Sequence, residues 1–294
     1  MKATASILTF ICGSVVGMGV ISATQAPPEP KKEEPAFRNL DANLFMQTAA
    51  EYRACCYQAY SLAEERLKAE MAKPYGGAQR AVILDLDETV LDNGRFQSTM
   101  LRNGWAYDQK VWDRYEKDCV EEVGLIPGAK AFLESAKSLG VPVVYITNRN
   151  EKTRETTKAI LERHGISVPD SQLFMATTTS DKTERRKKVT ETFNVVMLVG
   201  ITFFAISTNW FKYQPNQGIK GRKEEVDSSK AKFGTTWIIL PNSSYGEWGR
   251  ALGNGAKDVE LLLPPSIEAI TNESSFFLPI ENSLSIDTPG CQPE

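Results

Sequence analysis

Ile83-Leu-Asp-Leu-Asp-Glu-Thr-Val-Leu-Asp92 follows directly on Ala81-Val82, so a short apolar run delivers two carboxylates, Asp85 and Asp87, in quick succession. An uninterrupted apolar run of this length reads as a strand buried on both faces, as in a parallel sheet. Carboxylates at its carboxyl end then lie at the sheet edge where open α/β folds bind ligands. Two acidic side chains at this spacing, with Thr89 beyond them, suit a nucleophile, a general acid/base and a hard divalent cation held through oxygen. A solvated acidic turn after a strand is the blander reading, and it leaves the motifs further along the chain unexplained.

Before this strand, Leu44, Phe45, Ala49, Tyr52, Cys56, Tyr60, Ala63 and Leu67 recur at three- and four-residue steps, which predicts one long amphipathic helix, or two, between about Asp41 and Lys73. Pro74-Tyr-Gly-Gly77 ends it. After the strand, further strands are predicted at Pro142–Ile146, Gln172–Met175, Val195–Val199 and Thr236–Leu240, with helical stretches near 129–139, 151–163, 182–193 and 219–232. That alternation predicts βαβ units, hence an α/β fold with a parallel sheet and helices on both faces.

The 294 residues are 41% hydrophobic and 24% charged, with a formal net charge of −3, which excludes global disorder, collagen and multi-span membrane classes. With 34 basic against 37 acidic residues there is no global field to hold a nucleic acid polymer, so any phosphate chemistry must come from a local site. The five cysteines have neither C-x-x-C spacing nor the density of a disulfide scaffold. Adjacent Cys55 and Cys56 fall on different sides of their helix.

Residues 1–26 set Lys2 before an uncharged stretch, Ile7 to Ser22, and then Thr24-Gln-Ala26, the layout of a secretory signal peptide. Pro27 disfavours cleavage there, so an uncleaved N-terminal anchor stays open, with membrane attachment through this segment. Both readings predict export, to the periplasm, the medium or the cell envelope. Residues 27–40 read as a solvated Pro/Lys/Glu-rich linker and 261–294 as a flexible tail.

The segment Asp85-Leu-Asp-Glu-Thr-Val-Leu-Asp92 is very close to the first motif of the haloacid dehalogenase (HAD) superfamily, in its phosphatase branch. Asn43-Leu-Phe-Met-Gln-Thr-Ala-Ala-Glu-Tyr52, Tyr57-Gln-Ala-Tyr60, Leu91-Asp-Asn93, Ile126-Pro-Gly-Ala129, Tyr145-Ile-Thr-Asn-Arg149 and Leu240-Pro-Asn-Ser-Ser-Tyr-Gly-Glu-Trp248 together resemble the exported class C acid phosphatases, whose members include surface 5′-nucleotidases. The resemblance spans about residues 41 to 252. It implies a HAD-like Rossmannoid domain over 41–260, with an N-terminal helical addition and a small cap insertion at about 93–125. The implied activity is Mg2+-dependent hydrolysis of small phosphomonoesters, nucleoside 5′-monophosphates foremost. A homodimer is left open.

On this resemblance Asp85 matches the nucleophile that becomes an aspartyl-phosphate, and Asp87 the acid/base; both would ligate Mg2+. Thr147 and the backbone N–H groups near it would hold phosphoryl oxygens, with Asn148 and Arg149 binding substrate. Thr147 is equally placed to cap the next helix, a compatible reading because anions sit at helix N-termini. Lys182 is the candidate third-motif lysine, offsetting charge on the nucleophile and the transferring group. Arg185 to Lys188 read as a solvated helix face outside the site. Phe96 and Tyr245 are candidates to sandwich a nucleobase, or else to pack in the core. Trp105, Trp112 and Trp248 read as packing residues, and His164, the only histidine, as a satisfied residue near a helix end.

One motif departs from the family. After Val195-Val-Met-Leu-Val-Gly200 the family reads G-D-x-x-x-D-F, its first acidic residue binding magnesium and its second supporting that site. This chain reads Gly200-Ile-Thr-Phe-Phe-Ala-Ile206, so Ile201 and Ala205 occupy the two acidic positions. Magnesium uses few carboxylates, so the loss of one weighs heavily. Degeneration, a rebuilt pocket and an altered reading frame each account for the segment. The alternatives to an active phosphatase are an impaired homologue serving as a binding or envelope module, and a phosphotransferase using the same aspartyl-phosphate.

Overall fold

A computed structural model describes residues 39–202, 205 and 218–252. The expected export segment 1–26, almost all of the expected linker 27–40 and tail 261–294, and Cys12 and Cys291 lie outside the described residues. In chain order the described elements are α1 (Leu40–Thr48), α2 (Ala50–Met71), β1 (Arg80–Leu84), β2 (Leu91–Asp92), α3 (Gly94–Asn103), α4 (Gln109–Asp118), β3 (Gly124–Leu125) and α5 (Ala129–Ser138). There follow β4 (Val143–Asn150), α6 (Arg154–Arg163), β5 (Leu173–Ala176), α7 (Thr183–Thr192), β6 (Asn194–Gly200), α8 (Gly218–Ser228), β7 (Trp237–Ile239) and α9 (Glu247–Arg250).

Five strands form one parallel sheet in the order β5-β4-β1-β6-β7. The continuous apolar run of β1 is explained by its central place, which buries both faces. Val82 and Leu84 join the core cluster that includes Tyr145, Met197 and Val199, while Ala81 and Ile83 join a second cluster with Val144, Ile146, Leu198 and Trp237. Successive strand residues thus feed opposite sides. Among the described residues no helix is long and apolar enough to cross a membrane.

The N-terminal periodicity resolves into two helices. Tyr52, Cys56, Tyr60, Ala63 and Leu67 line the buried face of α2 as expected, and Cys55 is exposed. Leu44 and Phe45 do not continue that face; both are exposed. The break at Ala49, whose ψ of 131° is extended, resets the helical phase, so α1 buries Asn43 instead. Asn43 donates to Asn39 O at 2.7 Å and accepts from Ser244 Oγ at 3.1 Å, pinning α1 to the loop after β7.

The antiparallel pair β2–β3, with Leu91 opposite Leu125 and Asp92 opposite Gly124, brackets α3 and α4. This insertion leaves and rejoins the fold just beyond Asp85 and Asp87, and Phe96, Met100 and Tyr115 bury its inner side in the main core. At its far end Gly128, at φ 88°, lies against Tyr60: a Cβ there would meet Tyr60 Cβ at 3.0 Å.

Candidate active site

Asp85 follows the last residue of β1 and is still held by the sheet, its N–H donating to Val199 O at 3.0 Å. The chain then turns sharply, because the Leu86 carbonyl accepts from the N–H groups of Thr89, Val90 and Leu91. Glu88 completes the turn at φ 52°, the only described non-glycine residue with positive φ. These bonds present Asp85 and Asp87 at the carboxyl edge of the sheet, 14% and 17% exposed, enough for a small ligand to reach them.

Each carboxylate faces a buried cation. Lys182 Nζ lies 2.6 Å from Asp85 Oδ1, which also accepts from Leu86 N at 2.8 Å. Burial pushes the Asp85 carboxyl up and the Lys182 ammonium down, and their contact opposes both shifts. Arg149 Nε donates to Asp87 Oδ1 at 2.8 Å, and Asn93 Nδ2 donates to the same oxygen at 3.0 Å. Burial alone would lower the Arg149 guanidinium, but the carboxylates of Asp87 and Glu116 hold it above its ordinary value.

Thr147 is buried; its Oγ1 lies 3.4 Å from Asp87 Oδ2 and accepts from Arg149 N at 3.1 Å. It caps no helix: β4 runs on to Asn150, a 3₁₀ turn follows at Glu151–Thr153, and α6 begins at Arg154. Thr147 therefore lies six positions before Thr153, the residue at the N-cap of α6, since the register of β4 against β5 shifts between Ile146 and Asn150 and the strand continues. Asn148 stands exposed at the rim, where its Oδ1 accepts from Arg185 Nη2 at 2.8 Å.

Arg185 is thus not outside the site. Its Nη1 donates to the Thr147 carbonyl, and burial pushes the guanidinium below its ordinary value. The basic run hid this, since nothing in its spacing separates Arg185, which faces β4, and half-buried Arg186, which donates to the Ala205 carbonyl at 3.3 Å, from exposed Lys187 and Lys188. Arg149 is 1% exposed and turned into the protein, so the structure places it under Asp87 rather than on a substrate-facing surface. Phe96 is buried in edge contact with Trp112, ring centroids 4.9 Å apart, which is the core-packing alternative. Tyr245 is half-buried and its hydroxyl donates to Glu88 Oε2. Trp105 is no packing residue; it is exposed, as is Tyr107 beside it on the insertion. His164 Nε2 lies 2.9 Å from Val123 O at the end of α6.

Glu88 is a residue that motif reading passed over. Its buried carboxyl accepts from Asn93 N at 3.0 Å and from Tyr245, and burial, then neighbouring Asp87, pushes it well up. It ties the turn after β1 to the loop after β7.

A parallel sheet with paired acidic residues after its central strand, countered by a lysine from a later loop, defines a HAD-type phosphohydrolase. Residues 21–248 match the family described as HAD superfamily, subfamily IIIB (acid phosphatase). Two crystal structures of a class C acid phosphatase from Bacillus anthracis, one with tungstate bound, are each 33% identical at a TM-score of 0.67, covering 76% of this chain and 92% of theirs. The chain belongs to the class C acid phosphatases of the HAD superfamily, and is a phosphoric monoester hydrolase.

The magnesium site that the resemblance implies is incomplete. Ile201 and Ala205 are buried, Ile201 within the main core cluster. Among the described residues no group of three or more His, Cys, Asp or Glu side chains is arranged to hold a metal. Asp181 Oδ1 instead accepts from Thr183 N at 2.8 Å, at the start of α7, and Asp227 lies on α8. Asp85 and Asp87 remain, each already facing a cation, so the donor set does not fit a complete magnesium site.

Proposed function

We propose that the chain hydrolyses small phosphomonoesters, nucleoside monophosphates among them, through an aspartyl-phosphate on Asp85. The observation that carries this reading is the pairing of Asp85 with Lys182 at 2.6 Å, beside Asp87, at a partly open sheet edge. An Asp85 oxygen bonds to phosphorus as the ester P–O bond breaks, and Asp87 gives a proton to the leaving alkoxide. Asp87 then takes a proton from the water that attacks phosphorus, releasing inorganic phosphate and regenerating Asp85. Lys182 offsets the charge on Asp85 and the transferring group throughout.

The relative with tungstate bound supports an oxyanion as ligand, since tungstate, like phosphate, is tetrahedral. The exposed Trp105 and Tyr107 offer the insertion's aromatic surface to a nucleobase, a part for which Phe96 is too deeply packed. Export belongs to the same reading and rests on Lys2 and the apolar stretch Ile7 to Ser22. Magnesium is expected to bind weakly, because Asp85 and Asp87 alone of the expected ligands are retained.

Asp85→Asn is expected to lower phosphate release by roughly 10³-fold or more, as loss of a catalytic nucleophile does elsewhere. Undiminished release by that variant would sink the reading. The apolar, buried Ile201 and Ala205 favour one alternative, an impaired homologue that binds oxyanions without turning esters over. Tungstate binding by calorimetry, with no phosphate released from any monoester, would favour it.

A further inference from the structure

Arg149 is shared between two carboxylates, only one of which belongs to the chemistry above. Its Nε donates to Asp87 Oδ1 at 2.8 Å and its Nη2 to Asn93 Oδ1 at 3.0 Å. Glu116, carried into the core by α4 of the insertion, places Oε1 3.8 Å from the same Nε, beyond hydrogen-bond range. The other Glu116 oxygen accepts from Thr153 Oγ1 at 2.9 Å. Glu116 is 0% exposed, and the Trp112 ring centroid lies 5.6 Å from the Arg149 guanidinium carbon. Among the described residues Glu116 Oε1 and Arg149 Nη1 are both buried with no hydrogen-bond partner in good geometry, although the Trp112 side chain also favours the Glu116 carboxylate.

A buried carboxyl left half-satisfied costs stability rather than supplying it, so packing alone does not account for Glu116. Burial pushes its carboxyl up to about 7 against the pull of Arg149, which leaves it close to losing its charge altogether. The two oxygens of Asp87 are also treated unequally. Oδ1 accepts from both Arg149 and Asn93, while among the described residues Oδ2 has only the 3.4 Å contact with Thr147 Oγ1. Oδ2 is therefore the oxygen left to carry a proton.

We infer that Glu116 is a positioning residue for the hydrolysis, whose competing carboxyl keeps Arg149 on one oxygen of Asp87 and leaves the other for proton transfer. Arg and carboxylate pair most strongly through two parallel N–H···O bonds. With the competitor removed, Arg149 closes on both oxygens of Asp87, and the acid/base loses the one it works with. Through Glu116 the insertion thereby acts on the chemistry from beneath the site, by a side chain too deeply buried to touch substrate. This inference rests on the role of Asp87 in the reading above.

The test compares two esters on the full chain: p-nitrophenyl phosphate, whose leaving group departs without a proton, and a nucleoside 5′-monophosphate, whose alkoxide needs one. At pH 8, above the range in which the Glu116 carboxyl takes up its proton, Glu116→Gln keeps the shape and the Thr153 contact but removes the charge. It is expected to lower kcat on the nucleotide roughly 10- to 100-fold with KM unchanged, and to lower kcat on p-nitrophenyl phosphate far less. The nucleotide loss is expected to vanish in an Arg149→Met background, where there is nothing left to position. An equal loss on both esters, or none, overturns the inference while leaving the phosphatase reading intact. A wild-type protein that turns over neither ester overturns both. Should Glu116→Gln fail to fold, Thr153→Val frees the Glu116 carboxyl from its anchor and carries the same comparison with a smaller loss expected.

Discussion

Position 201 shows how much one side chain decides. β1 and β6 pair with Leu84 opposite Val199, so residue 201 emerges beside Asp85 at the same sheet edge. An acidic side chain there would add a third oxygen ligand, whereas Ile201 adds to the core. Ile201→Asp combined with Ala205→Asp is expected to raise magnesium affinity at least tenfold, by comparison with the cost of losing ligand support in metal sites, and turnover with it. A magnesium titration of phosphate release checks this; an unchanged rate would show that the lost carboxylates do not limit the reaction. Asp85, Asp87 and Lys182 were legible because motif spacing carries them. Glu88 was not, because its partner Tyr245 lies 157 residues away and its positive φ follows from closure of the turn.

At the scale of elements, the Ile126-Pro-Gly-Ala129 motif is explained by packing between α2 and the start of α5. Tyr60 donates to Thr89 O at 2.5 Å, which fixes its ring over Gly128 and couples α2 to the turn that bears the acidic pair. Gly128→Ala must adopt φ 88° and bring Cβ to 3.0 Å from Tyr60 Cβ, with the tyrosine unable to swing aside. A loss of about 1–3 kcal/mol in unfolding free energy is expected, measured by urea denaturation. The five strands of the parallel sheet were read within a few residues, since continuous apolar runs and parallel pairing go together, whereas the two-residue strands β2 and β3 were not. The change of helical phase at Ala49, which exposes Leu44 and Phe45, and the extension of β4 were missed, because a single extended residue and a register shift leave no mark on hydrophobic periodicity.

Across the whole molecule, the buried Glu116 couples protonation to stability. Its carboxyl sits at about 7 when folded against an ordinary value of 4.5, so between these pH values the folded state holds a proton that the unfolded chain has released. Stability from this group is therefore full below about 4.5 and is lost as the pH rises through about 7. The loss is expected to be on the order of 2–3 kcal/mol, and Glu116→Gln is expected to flatten it. Urea unfolding of both proteins at pH 5 and pH 7.5 checks the sign.

The amino-acid sequence by itself determined the alternation of strand and helix, the delivery of two carboxylates from a central strand and the apolar replacement after Gly200, because each is local and written in spacing or residue type. Only the tertiary structure decided what else surrounds those carboxylates: it brings Lys182, the lysine the resemblance implied, to 2.6 Å from Asp85, turns Arg149 inward to Asp87, joins Arg185 to the Thr147 carbonyl and brings Glu116 in from the insertion. Such pairings depend on strand order and on loops closing over the sheet edge, and burial then strengthens each contact.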